Sequence, residues 1–438
     1  MARRSEPETA TIDGVTHDGR GIAAIHGKKV FVPGGLPGET VRILRRRRRS
    51  SFDEAELLEV LEPSPQRIVA RCAAYGACGG CSLQHVPAAE QRALKFGALK
   101  DTLARIGGLE PRRWLPPLFD ESAEWHYRRR ARLAVKDVAA KGRVLVGFRE
   151  RHSPFITDMA RCEVLAPPLD GLIEPLSALV GRLSIRRRVP QIEAAVADNG
   201  TELVFRVLDP PTAADTAELG HFAQAHGLRV ALQPGGPDSV LPLHPAAPEP
   251  LYYELPEWHL RLSFGATDFV QVNGAVNRRM VAAALELLAP EEGDRVLDLY
   301  CGIGNFSLPL ARRAGRVLGI EGDPAMVARA RANAEANGIG NAEFRAADLD
   351  LVDGREPWLR ERSDRVLLDP ARSGAAAVAA HLGRSGAARI VYVSCHPATL
   401  ARDARALAAG GYGLEAAGMV DMFPHTGHVE AIAVFVKM

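Results

Sequence analysis

The stretch RVLDLYCGIGNF (residues 295–306) places an apolar strand directly before a glycine-rich turn. Alanine-rich helical segments alternate with further apolar strands downstream, in VLGIEGDP, EFRAADL, RVLLDPARSG and RIVYVSC, and the chain closes on the β-like AIAVFVK. Strands that alternate with helices predict a parallel sheet covered on both faces. We therefore predict an α/β, Rossmann-like domain over residues 263–438.

Two further regions precede this domain. Residues 1–64 contain short alternating strands separated by glycines, as in GIAAIHGKKVFVPGG, and this pattern predicts a small, OB-like antiparallel β-barrel. Residues 65–262 alternate apolar and polar side chains in several places, so we predict a mostly β central domain that ends in the proline-rich stretch 209–257. Within it, residues 88–107 have the spacing of an amphipathic helix, which is a candidate to pack on the catalytic domain.

The charge is unevenly distributed along the chain. The net charge is only +2, but residues 1–160 hold 28 basic and 19 acidic side chains, whereas residues 161–438 hold 27 and 34. A basic front half that includes the arginine run 45–49 favours a polyanionic partner, although a solvated basic face is the alternative. No apolar run reaches the roughly 18 residues of a membrane helix, and the N-terminus MARRSEPETA lacks the apolar segment of a secretory signal, so we expect a cytoplasmic protein with no membrane partner. We also expect it to be a monomer.

The glycine turn at residues 301–306 predicts a cofactor site, because glycine lets the backbone approach a ligand closely. About 20 residues later, the next strand ends in Glu321, whose carboxylate is suited to ribose hydroxyls. Asp298 before the turn, the missing third glycine of the dinucleotide fingerprint, and Asp348 after the following strand favour S-adenosylmethionine. A nicotinamide enzyme is the alternative.

Four of the six cysteines stand out in this sequence. Cys395 follows the strand RIVYVS, at the strand end where catalytic groups of α/β sheets lie, so it is a candidate nucleophile; the alternative is a small buried apolar residue. Cys72, Cys78 and Cys81 crowd into ten positions, which in a large chain of this kind indicates metal binding rather than disulfides.

Motifs along nearly the whole chain resemble one protein family. They are HDGRGIA (17–23), FVPGGLPGE (31–39), the cysteine pattern of residues 72–81 with the distant Cys162, DFVQVN (268–273), DLYCGIGNF (298–306), DPARSG (369–374), YVSCHPATLARD (392–403) and MFPHTGHVE (422–430). In this combination and order, they resemble the bacterial RNA (uracil-5-)-methyltransferases that carry an N-terminal TRAM domain and an iron–sulfur cluster.

The resemblance implies roles for individual residues. Cys395 would add to carbon 6 of a uracil, and Glu430 would be the base that later removes the carbon 5 proton. Asp369 matches a position at the active site of the family. The residues that the resemblance places around S-adenosylmethionine are Gln271, Tyr300, Asn305, Glu321, Asp348 and Asp369. One departure is visible, since the family usually has Asn after the nucleophile and this chain has His396.

The thiols of Cys72, Cys78, Cys81 and Cys162 suit either tetrahedral zinc or a [4Fe–4S] cluster, and spacing alone does not separate the two. The resemblance favours [4Fe–4S]. The cysteine spacing of radical S-adenosylmethionine enzymes is absent, which argues against a TRAM-bearing radical methylthiotransferase. We predict that Cys301 packs beside the cofactor turn.

The expected substrate is carbon 5 of a uridine in 23S ribosomal RNA, with U1939 the first candidate and another ribosomal uridine or transfer RNA as alternatives. The target base must leave its stack to reach Cys395. Aromatic and basic residues suited to stacking and phosphate contacts lie in the central region: Trp125, Tyr127, Arg128, Arg129, Arg130, Arg132, Phe148 and Arg149. A non-catalytic RNA-binding protein would not need Cys395 and Glu430 together, and the Pro-Cys context of DNA cytosine methyltransferases is absent.

Overall fold

The computed structural model describes residues 6–16 and 19–438, so His17 and Asp18 of the HDGRGIA motif lie outside the described residues. The N-terminal strands are β1 (Glu8–Thr11), β2 (Gly14–Val15), β3 (Arg20–Ile25), β4 (Lys28–Pro33), β5 (Thr40–Arg48) and β6 (Phe52–Glu62). They form one sheet in the order β1-β5-β6-β4-β3-β2, antiparallel except where β4 pairs with β6. Alternate side chains, such as Val30 and Val32, form a separate apolar core, as the period of two predicts.

A helix then leads into the C-terminal part of the molecule. α1 (Ala88–Thr102) continues through one π-turn, Leu103–Gly107, and ends at Gly108 in the left-handed conformation. The next strand, β7 (Arg113–Trp114), joins the edge of the C-terminal sheet. Leu99 and Leu103 lie in the core of that C-terminal part. The segment between the N-terminal and central sheets therefore packs on the C-terminal sheet.

The central part is a second six-stranded sheet with two helices. Its elements are β8 (Arg130–Val138), β9 (Arg143–Gly147), α2 (Ile173–Arg182), β10 (Gln191–Ala197), β11 (Gly200–Arg206), α3 (Ala213–His226), β12 (Arg229–Gln233) and β13 (Leu241–His244), and a hairpin of β14 (Leu251–Leu255) and β15 (Leu260–Phe264) follows. The strand order is β13-β12-β11-β10-β8-β9. The sheet thus continues through the proline-rich stretch 209–257, and one apolar core runs from it into the C-terminal part. The boundary after residue 262 stays a prediction.

The C-terminal part is the predicted Rossmann-like domain. Its strands are β16 (Arg295–Leu299), β17 (Arg316–Glu321), β18 (Ala342–Ala346), β19 (Arg365–Leu368), β20 (Arg389–Ser394), β21 (Tyr412–Val420) and β22 (Glu430–Lys437). The order is β18-β17-β16-β19-β20-β22-β21-β7, with β16 to β20 parallel and β22 antiparallel to both β20 and β21. The helices are α4 (Gly274–Leu288), α5 (Ser307–Ala311), α6 (Pro324–Ala336), α7 (Pro357–Arg360), α8 (Ala376–Ala379) and α9 (Pro397–Ala409).

Both faces of this sheet are buried. Along β20, Val391 and Val393 join the core that includes α4, while Ile390 and Tyr392 join the core that includes α9. This alternation explains why the strand is apolar throughout, since neither face meets water. The predicted α/β fold class is confirmed. Within residues 6–16 and 19–438, no helix is both long enough and apolar enough to cross a membrane.

Candidate active site

A cavity of about 1080 Å³ opens at the carboxyl ends of β16, β17, β19 and β20. Ligands of open α/β sheets bind at this edge. The predicted site residues that line it are Gln271, Tyr300, Asn305, Glu321, Asp369, Cys395 and Glu430. Asp348 does not line the cavity: it is exposed after β18, and its carboxylate accepts a hydrogen bond from the Asp350 N–H at 2.9 Å.

The turn after β16 is shaped by left-handed backbone. Tyr300, Gly302 and Gly304 have φ of 62°, 55° and 96°, a region that glycine adopts without strain. The Gly302 N–H donates to the Glu321 carboxylate at 3.0 Å, and the Asp323 N–H donates to the same carboxylate at 3.1 Å. Glu321 is therefore fixed at the rim of the turn, where the sequence predicted it.

Asn305 holds the turn against two other elements. Its side-chain amide exchanges hydrogen bonds with that of Asn277 on α4 at 2.9 and 3.0 Å, and it accepts from the Tyr253 hydroxyl on β14 at 2.9 Å. The sequence did not indicate Asn277 or Tyr253. Neither belongs to a recognised motif, and both come from separate elements.

Three carboxyl groups lie at or behind the cavity: Asp298 and Glu430 are buried, and Asp369 is half-buried. Burial raises the pKa of Asp298 to about 7 and the pKa of Asp369 to about 7. Burial, with the neighbouring Asp369, raises the pKa of Glu430 well above its usual range, and Lys95 partly opposes this. Within the described part of the chain, Oε2 of Glu430 has no hydrogen-bond partner. The Glu430 carboxyl is thus available to a ligand in the cavity.

Cys395 lies between the end of β20 and the start of α9 at Pro397. Burial raises the pKa of its thiol to about 11, with smaller contributions from Glu430 and Asp369, whereas Arg372 lowers it. Arg372 also contacts the ring of His428, with an Nη2–Nδ1 distance of 3.3 Å. Arg372 and His428 both line the cavity. The motifs DPARSG and MFPHTGHVE contain them, but no sequence pattern distinguishes these two residues from the rest of each motif.

The four cysteines outside the sheet are electrostatic neighbours. Burial raises the pKa of Cys81 to about 12, and Cys162, Cys78 and Cys72 contribute to that increase. Across the described ranges, no three His, Cys, Asp or Glu side chains form a group that could hold a metal ion. Cys301, by contrast, is buried against β17, where its Sγ lies 2.9 Å from the position of a Cβ on Gly319.

Comparison with known proteins agrees with this geometry. Residues 257–438 match the family tRNA (Uracil-5-)-methyltransferase, and residues 9–66 match the TRAM domain of tRNA (uracil(54)-C(5))-methyltransferase. The 23S rRNA (uracil(1939)-C(5))-methyltransferase RlmD of Alkalilimnicola ehrlichii is 52% identical over 431 residues, which cover 98% of this chain and 96% of that protein. The chain belongs to the RlmD family of uracil-C5 methyltransferases.

A second relative, the RlmD of Methylococcus capsulatus, is 49% identical, and the aligned residues cover 98% of this chain and 97% of that protein. Among solved structures, the tRNA (uracil-54, C5)-methyltransferase of Pyrococcus abyssi in complex with S-adenosyl-L-homocysteine superposes with a TM-score of 0.73 at 24% identity, covering 98% of this chain and 100% of that one. The fold described above is therefore shared with that structure over nearly the entire chain.

Proposed function

We propose that this chain transfers the methyl group of S-adenosylmethionine to carbon 5 of U1939 in 23S ribosomal RNA. The proposal rests on one observation: Cys395, Glu430 and the glycine-rich turn all line the same cavity. The RlmD relatives, which are named as 23S rRNA (uracil(1939)-C(5))-methyltransferases, supply the nucleotide. The substrate places the reaction in the cytoplasm, and we propose that the enzyme acts as a monomer, which light scattering would test.

Cys395 is proposed to act first. Carbon 5 of uracil is too weak a nucleophile to take up a methyl group unaided, so the Cys395 thiolate adds at carbon 6 and the ring becomes an enolate. S-Adenosylmethionine, when bound, supplies the methyl group from its sulfonium. Because Arg372 lowers the pKa of the thiol, it supports formation of the thiolate.

Glu430 completes the reaction. After methyl transfer, carbon 5 carries both the methyl group and a proton, and the Glu430 carboxylate removes that proton. The carbon 5–carbon 6 double bond forms again, and the bond from carbon 6 to Sγ breaks with its electron pair returning to the sulfur. A pKa raised by burial suits this role, because it makes the carboxylate a stronger base toward a carbon-bound proton.

The turn and its surroundings fit S-adenosylmethionine. Gly302 lines the cavity and leaves room for a ligand beside the backbone, and Glu321 presents a carboxylate at the rim. The Tyr300 hydroxyl is buried and, among the described residues, has no partner, so a bound molecule would satisfy it. We assign Gln271, Asn305 and Asp369 to the same site, with the exposed Asp348 at the adenine edge.

We propose that Cys72, Cys78, Cys81 and Cys162 hold a [4Fe–4S] cluster. Their mutual electrostatic influence supports a common site. Four thiolates suit a cluster in which each of four iron atoms takes one sulfur ligand, and the family resemblance favours this cluster over a single tetrahedral zinc ion. Visible absorbance and iron content after anaerobic purification test the assignment, and bound zinc without iron would contradict it.

The proposed function is tested with labelled S-adenosylmethionine and a 23S ribosomal RNA transcript. We expect one methyl group per transcript at U1939, and none when that uridine is replaced by cytidine. A transfer RNA transcript is the comparison substrate. Methylation of the cytidine transcript at the wild-type level, or of transfer RNA alone, would contradict the assignment.

A further inference from the structure

The loop that carries Glu430 is attached to elements outside the sheet. β21 ends at Val420, which pairs directly with Glu430 at the start of β22, so residues 421–429 form a loop closed at the proposed base. Contacts that set the conformation of this loop therefore bear on the position of Glu430. α1 and the segment after Cys81 contact this loop, as do the Leu118 carbonyl, the Tyr127 hydroxyl and the Trp125 ring.

α1 supplies two buried polar side chains on one face. Lys95 is 2% exposed; its Nζ lies 2.7 Å from Oδ1 of Asp421 and donates to the Phe423 carbonyl at 2.8 Å. Gln91, one turn earlier, accepts from the His425 N–H at 2.8 Å. Spacing of four residues puts both side chains above the same stretch of loop.

The segment after Cys81 holds the middle of the loop. The backbone N–H groups of Ser82 and Leu83 both donate to the His425 carbonyl, at 2.9 and 3.0 Å, and the Ser82 hydroxyl accepts from the Gly427 N–H at 2.9 Å. His425 has φ of 65°, and its ring stacks on Trp125 with centroids 3.6 Å apart. A left-handed non-glycine residue persists only where the surroundings hold it, as they do here.

Burying these polar groups costs more free energy than packing the loop with apolar side chains would. A buried Lys–Asp pair contributes little net stability compared with apolar residues of similar size, because both charges lose their water. The pair also places the Lys95 cation near the Glu430 carboxyl group. The titratable groups that interact with Glu430 are Asp369, Lys95 and Cys395. The arrangement therefore favours one loop position and one electrostatic environment for the base.

We infer that Lys95, Gln91 and Ser82 are positioning residues that hold the Glu430 carboxylate for removal of the carbon 5 proton, an inference that rests on the proposed function. They act through Asp421, His425 and Gly427 and touch neither the RNA base nor the cofactor. Since Ser82 directly follows Cys81, the conformation of the cysteine segment bears on the placement of the base.

Lys95→Met and Ser82→Ala test the inference in the full-length protein with labelled S-adenosylmethionine and ribosomal RNA. Proton removal follows methyl transfer, so both variants should accumulate methylated RNA bound covalently to Cys395. We expect kcat to fall on the order of tenfold with KM values for RNA and cofactor nearly unchanged, because small misplacements of a catalytic group reduce the rate of its own step. Ser82→Ala decides the matter if Lys95→Met does not fold.

Asp215→Ala is the matched control. It removes another buried carboxylate, which caps α3 through Thr212 and Ser184 in the central sheet, and so destabilises the protein without touching the loop. It should release product without adduct. The inference is wrong if Lys95→Met and Ser82→Ala turn over at the same rate as Asp215→Ala. It is also wrong if they turn over more slowly but accumulate no covalent adduct. Glu430→Gln, measured in parallel, must trap adduct; if it does not, the proposed base fails and the inference with it.

Discussion

At the scale of single residues, the environment of Cys395 sets its reactivity. Because burial raises the pKa of the thiol to about 11, the neutral thiol predominates at neutral pH in the absence of ligands. Alkylation of Cys395 by iodoacetamide, followed by mass spectrometry of its peptide, should therefore accelerate with pH up to about 11. Arg372→Gln should slow it, since Arg372 lowers this pKa. A rate that levels off near pH 8 would contradict the account.

Asp298 links the cofactor turn to the pH dependence of stability. Burial raises its folded-state pKa to about 7, so the folded protein holds this proton more tightly than the unfolded chain does. The resulting stabilisation is complete below about pH 4 and is lost as the pH rises through about 7. Asp298→Asn removes this titration, so its free energy of unfolding should fall less between pH 5 and pH 8 than that of the wild type.

Denaturant unfolding at both pH values measures this difference. The exposed Asp101→Asn is the control, because its side chain is 70% exposed and should behave like the wild type. An identical loss of stability in Asp298→Asn and in the wild type would show that Asp298 is ionised in the folded protein.

Local sequence could indicate some of these residues but not others. Cys395, Glu321 and Asp369 follow apolar strands, and the rule that strand ends carry the site identifies them from sequence order. Gln91 and Lys95 look like the solvent face of a helix, yet both are buried, because their partners lie more than 300 positions away in the Glu430 loop. The spacing of apolar residues within the helix cannot indicate such a long-range contact.

At the scale of elements, the packing between β17 and the cofactor turn leaves no room for a side chain at Gly319. A Cβ there would lie 2.6 Å from Phe344 and 2.9 Å from Sγ of Cys301. Gly319→Ala should displace the turn, lower affinity for S-adenosylmethionine and cost about 1–3 kcal/mol of stability. Gly340→Ala is the control, since nothing lies within 4 Å of its Cβ position.

Calorimetric titration and thermal unfolding measure the two effects. Equal cofactor affinity in both glycine variants would contradict the role given to this contact. The sequence indicated the turn itself, because its glycines follow a strand, but the reason for Gly319 lies in Phe344 of the adjacent strand. Similarly, α3 was not predicted from the sequence, because the helix lies in a proline-rich stretch, although Thr212 and Asp215 form a capping box at its start.

At the scale of the whole molecule, the basic N-terminal part offers a candidate surface for RNA. A second cavity of about 570 Å³ lies between the N-terminal sheet and the cysteine segment, lined by Arg46, Arg47 and Arg151 with Phe31 and Tyr75; Glu56 and Glu54 also line it and pair with Arg46 and Arg47. The side chains of Arg46 and Arg47 are 58% and 63% exposed. Arginines beside aromatic rings suit the backbone and bases of unpaired RNA.

Replacing Arg46 and Arg47 by alanine should therefore weaken RNA binding and reduce its salt dependence. Each lost phosphate contact lowers the slope of log K against log salt by roughly 0.7 for single strands. Filter binding at several salt concentrations measures this slope. The control is Arg182→Ala with Arg188→Ala, two exposed arginines of the central part outside this cavity. Equal slopes for the two double variants would exclude the cavity from the RNA path.

The most direct test of the central claim is mass spectrometry of the complex that Glu430→Gln forms with 23S ribosomal RNA and S-adenosylmethionine. With the base removed, methyl transfer should proceed and elimination should stop. We expect a peptide in which Cys395 is joined to a methylated uridine from position 1939. No adduct, or an adduct on another cysteine or another nucleotide, would contradict it.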